Sequence, residues 1–86
     1  MMNKKEKVYF IDKLFMNFIN HNETAKLQYL LNIDILLMFK HLNYISKEVY
    51  DELAPMIYKS AYEDKYSCII KVQEKLCREM NIKVEN

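Results

Sequence analysis

The side chains that could do chemistry in this chain are few and scattered. Two histidines (His21 and His41), two cysteines (Cys68 and Cys77) and one aspartate set among leucines (Asp34) are the groups that invite a site. A zinc or di-metal centre needs ligands at helical or loop spacing, such as HExxH, CxxC or ExxH. None of these spacings occurs, so the chain is expected to carry no metal and no other cofactor. The cysteines are nine residues apart on one predicted helix, which turns them about 180° away from each other. They are read as reduced packing residues of a cytoplasmic protein, neither a disulfide nor nucleophiles. No Ser-His-Asp or Cys-His set follows from position, and no catalytic residue is assigned.

Glycine is absent altogether. A phosphate-cradling loop of the P-loop or dinucleotide-binding kind therefore cannot be built, because such loops need close backbone approach and positive φ. Any activity must reside on the side chains of helix faces. That leaves Asp34 as the most anomalous residue. It shares a wheel sector with Leu27, Leu30, Leu37 and Met38, with His41 further along the same side. A carboxylate in an apolar stripe must find a donor or stay near water. Asp34 and His41 are accordingly read as candidate buried polar contacts, with Asp34 satisfied by a Lys or Tyr from another helix.

Tyr58, Tyr62 and Tyr66, at a spacing of four, are the other conspicuous pattern. A tyrosine ladder beside lysines can stack single-stranded bases. Here the ladder shares its stripe with Ile69, Leu76 and Met80, whereas Lys71, Lys75 and Arg78 project from the opposite side. The ladder reads as a core edge with its phenol oxygens at the rim, and as a protein interface in second place.

The elements that must position these groups are helices. The chain has 86 residues, 51% of them hydrophobic, and a net charge of +1, which makes one small domain with apolar surface to spare. The near-zero charge supplies no general attraction to nucleic acid or anionic membrane. Arg78 is the only arginine among thirteen basic residues, which removes most bidentate base and phosphate contacts. Abundant Lys, Ile and Asn with little Arg or Gly also suits an AT-rich genome. No stretch reaches transmembrane length, and the N-terminal residues are not expected to act as a signal peptide.

Periodicity predicts an all-α bundle of three to four helices in a single domain, 1–86, with helices over 5–20, 23–42, 47–54 and 55–80. Asn22 and Ser46 are expected N-caps, and Pro55 is expected to separate a short third helix from the fourth. The second helix is apolar nearly all round, which predicts a central position and favours a homodimer.

Charge divides the second half of the chain. Residues 46–64 carry five acids and two bases; residues 65–83 carry two acids and five bases. Glu48, Asp51 and Glu52 would meet phosphates if the third helix read DNA, so an acidic protein-binding face is the better reading. The candidate protein interface is Glu48, Asp51 and Glu52 with Tyr58, Tyr62, Tyr9 and Met16. The alternative is a DNA-associated module acting through Lys65, Lys71, Lys75 and Arg78. The leading expectation is a small non-catalytic protein-binding module, a regulator or inhibitor from a low-GC bacterium, plasmid or phage, with another protein as its partner.

Overall fold

The computed structural model describes residues 1–83. Its four helices are α1 (Lys4–Ile19), α2 (Ala25–His41), α3 (Lys47–Tyr62) and α4 (Tyr66–Glu79). The all-α class is as expected. Helices α1 and α3 each pack on both α2 and α4, so the four close a ring around one core. Leu14, Leu36, Phe39, Leu53, Ile57, Ile69, Val72 and Leu76 fill its centre, fully buried.

Local chemistry sets each helix start. Asn3 and Glu6 form a reciprocal capping box at α1: Glu6 N–H donates to Asn3 Oδ1 at 2.9 Å, and Asn3 N–H to Glu6 Oε1 at 3.2 Å. Helix α2 is capped by Thr24, whose Oγ1 accepts from Leu27 N–H, and not by the expected Asn22. Asn22 instead lies inside a turn, donating its N–H to Asn20 Oδ1 at 3.1 Å. Ser46 caps α3 as expected, accepting from Val49 N–H.

Helix ends show how the chain manages without glycine. The left-handed positions fall to Asn43 (φ 63°), Asp64 (φ 52°) and Asn81 (φ 56°). After α2, Tyr44 N–H donates to Phe39 O and Asn43 N–H to Lys40 O. After α4, Ile82 N–H donates to Cys77 O and Asn81 N–H to Arg78 O. Both are Schellman closures with asparagine in glycine's usual place. The apolar contact that accompanies this motif is present at the first, where the Phe39 and Tyr44 rings sit 6.3 Å apart.

The break expected at Pro55 is not there. Pro55 lies inside α3, which runs on to Tyr62, and the chain turns at residues 63–65. The ring of Pro55 faces solvent, while Leu53 and Ile57 on either side are fully buried. Core packing on both flanks holds the helix through a residue that removes one ladder donor.

Helix α2 is not enclosed either. It packs on α1 and α3 and leaves its third side to solvent. The radius of gyration, 12.0 Å, is what a packed chain of this length should have, about 12 Å. The four helices therefore complete their own core, with nothing among the described residues covering the outside of α2.

Candidate functional site

Helix α2 is apolar on both its inner and its outer side, which departs from ordinary amphipathic patterning. Its inner side buries Ile33, Leu36 and Phe39, but also Gln28 and Asn32. These amides, with others, dock on backbone carbonyls of α1 and its C-cap. Asn32 Nδ2 donates to Leu14 O at 3.0 Å, and Gln28 Nε2 to Asn20 O at 2.9 Å. Asn17 Nδ2 donates to Asn32 Oδ1 at 2.8 Å, and from the other flank Gln73 Nε2 of α4 donates to Ile11 O at 2.8 Å. Every buried side-chain polar atom among the described residues has a partner.

The outer side of α2 carries Leu27 (40% exposed), Leu30 (42%) and Leu31 (38%), then Asp34, Leu37, Met38 and His41, with Leu42 (45%) just past the end. At 100° per residue these eight positions span about 140° of arc. Grouping Asp34 with the leucines is therefore correct, but most of the stripe is exposed, with Leu37 and Met38 half-buried. Asp34 and His41 are both exposed, and neither makes a hydrogen bond or ion pair among the described residues. Their assignment as buried polar contacts is overturned. The reason is the relative cost of burial. An amide can be satisfied by a helix carbonyl, whereas an unpaired carboxylate cannot enter the core. Asn17, Gln28 and Asn32 are the residues that sequence reasoning missed. The signal was the i, i+4 amide pair within the apolar run of α2.

Beside this stripe, on the α3 flank, stands an aromatic cluster. Tyr58 and Tyr62 stack at 4.5 Å with ring planes 28° apart, and Tyr29 of α2 lies 5.7 and 6.1 Å from them. Tyr58 is 50% exposed and Tyr62 45% exposed. They do not form a core edge with Tyr66. The turn at 63–65 puts Tyr66 on α4, where it meets Phe15 and Phe18 of α1 on another side of the bundle. Tyr9 and Met16 are exposed as the interface reading requires, but they lie on α1, across the core from α3. The structure does not bring them to Tyr58 and Tyr62.

The charged candidates are also divided. Glu48, Asp51 and Glu52 are exposed near the start of α3. Asp51 accepts from Lys47 at 2.8 Å, and that hydrogen bond, with the carboxylate's charge, raises the lysine pKa. Glu52 turns the other way, toward Lys75 at 3.9 Å. Lys75 also meets Glu79 at 3.4 Å, and Lys65 meets Glu63 at 3.2 Å. Lys71, Lys75 and Arg78 line a shallow groove of about 170 Å³ with Glu52 and Glu74. Its charge is mixed, and Lys65 stands apart at the start of α4.

A second groove, of about 310 Å³, lies between α1 and α4 and is lined by Ile11, Asp12, Ile70, Gln73, Glu74 and Cys77. Burial, and then the nearby Asp12 carboxylate, push the Cys77 thiol above its ordinary range, so it stays protonated at neutral pH. That is the reverse of what an activated thiol needs. Both cysteines are free. Among the described residues no group of three His, Cys, Asp or Glu side chains could hold a metal, and no helix is long and apolar enough to cross a membrane. No protein-family model, curated protein or solved structure matches the chain.

Proposed function

We propose that this chain is a small, non-catalytic protein-binding module that engages its partner through the outer side of α2, flanked by Tyr58 and Tyr62. The observation that carries the reading is the leucine stripe itself: Leu27, Leu30 and Leu31 are each about two-fifths exposed on a bundle whose core is already complete. Isolated exposed leucines are ordinary, but a contiguous stripe beside stacked tyrosines has the composition of an interface. Covering what remains exposed on each leucine gains about 1 kcal/mol. Several such gains set against the cost of association give a moderate, reversible contact. A regulator or inhibitor that must release its target works in that range. The free cysteines fit a reducing compartment such as the cytoplasm.

Affinity capture with tagged wild type beside a Leu30→Arg/Leu31→Arg variant, from a lysate that also holds the untagged chain, tests the reading. Both positions are exposed, so the variant should keep its helicity. The reading expects a stoichiometric protein retained by wild type and lost from the variant. Recovery of the same proteins by both baits refutes it.

A further inference from the structure

We infer that the occupant of the α2 stripe is a second copy of this chain, packed antiparallel about a two-fold axis, with Asp34 of each copy against His41 of the other. This inference rests on the protein-binding reading and names the partner for that site. The stripe holds only two polar positions, Asp34 and His41, seven residues and about 10 Å apart along the helix. Neither has a partner within its own chain among the described residues. In a parallel pairing Asp34 would stand level with Asp34 and His41 with His41, setting like groups together. In an antiparallel pairing with the axis between Leu37 and Met38, each carboxylate meets an imidazole N–H, twice over. An isologous contact requires this self-complementarity.

The sides of the stripe agree with that arrangement. Asp34 and His41 lean toward α3, whereas Leu31, Met38 and Leu42 lean toward α1. A two-fold axis across antiparallel helices keeps like sides together. The Asp34–His41 pairs then fall on the α3 side. Leu31 meets the exposed Leu42 of the other copy on the α1 side. Helix α2 is 17 residues long, about 25 Å, so the strip is smaller than the roughly 800 Å² per partner of a standard interface. The dimer is accordingly weak, dissociating in the micromolar range.

Sedimentation equilibrium of wild type, Asp34→Lys, His41→Glu and an equimolar mixture of the two variants tests this directly. Both positions are exposed, and circular dichroism confirms that each variant remains folded. Wild type is expected to approach twice its monomer mass by about 1 mM, and each single variant to dissociate at least about tenfold more readily. The mixture should recover association, because the lysine introduced in one copy then faces the glutamate introduced in the other, while the Asp34–His41 pair survives on the other side of the axis. A wild type that stays monomeric at that concentration overturns the second copy as occupant, while the protein-binding reading still stands or falls on its own capture experiment. Dimerisation of both single variants at wild-type strength, or no recovery on mixing, overturns the antiparallel pairing.

Discussion

Asn32 and Asp34 are two residues apart on α2, and the structure assigns them opposite roles. Asn32 is 2% exposed, accepts from Asn17 Nδ2 at 2.8 Å and donates to Leu14 O at 3.0 Å. Replacing it with alanine removes two hydrogen bonds, each worth about 1 kcal/mol net. It also leaves the Asn17 amide, 7% exposed, without its acceptor, which adds about 1–3 kcal/mol. Asn32→Ala should therefore cost about 3–5 kcal/mol. An 86-residue chain has only about 4–13 kcal/mol to lose. With a urea m-value near 1 kcal/mol/M, the unfolding midpoint should fall by about 3–5 M. Asp34→Ala, on an exposed position with no partner among the described residues, should stay within about 0.5 kcal/mol of wild type. Replacing both amides (Asn17→Leu with Asn32→Leu) should recover much of the loss, because neither side chain is then left unsatisfied. A cost below about 1 kcal/mol for Asn32→Ala, or above that for Asp34→Ala, would refute the reasoning.

Other substitutions probe the remaining elements. Pro55→Ala restores a ladder donor inside α3 at a solvent-facing position; a gain of about 2 kcal/mol in urea unfolding is expected, the interior proline cost of about 3 less what it saves in the unfolded chain. Asn43→Ala puts an ordinary Cβ at φ 63° and should cost about 1 kcal/mol by the same assay, whereas Asn43→Gly should be neutral or stabilising. Cys77, with its pKa raised by burial and Asp12, should alkylate more slowly at pH 8 than an unstructured thiol, in a mass-spectrometric time course. Because the folded state disfavours the Cys77 thiolate, its contribution to stability is complete below the ordinary thiol pKa. That contribution diminishes as pH rises through that value.

Most of the fold was legible because helix periodicity and caps are local. Ser46 as a cap and the all-α class both follow from spacing within one turn or two. Pro55 misled because its local cost is outweighed by Leu53 and Ile57, whose burial depends on other helices. The tyrosine ladder misled for the same reason. Once the break moves to residues 63–65, Tyr66 belongs to a different helix from Tyr58 and Tyr62. The wheel of α2 grouped Asp34 and His41 with the leucines correctly, but a wheel with apolar residues on two sides does not say which side is inside. The carbonyls of α1 settle that. They take the amides of Asn32 and Gln28 from α2, and so turn the leucines outward.

Sedimentation equilibrium on wild type beside a Leu30→Lys/Leu31→Lys variant, with helicity followed in the same samples, tests most directly whether that outer side is an association surface. The variant is expected to stay folded and monomeric at concentrations where wild type associates. Loss of helicity in the variant would make the stripe part of the core, and undiminished association would place the interface elsewhere; either result would contradict the account.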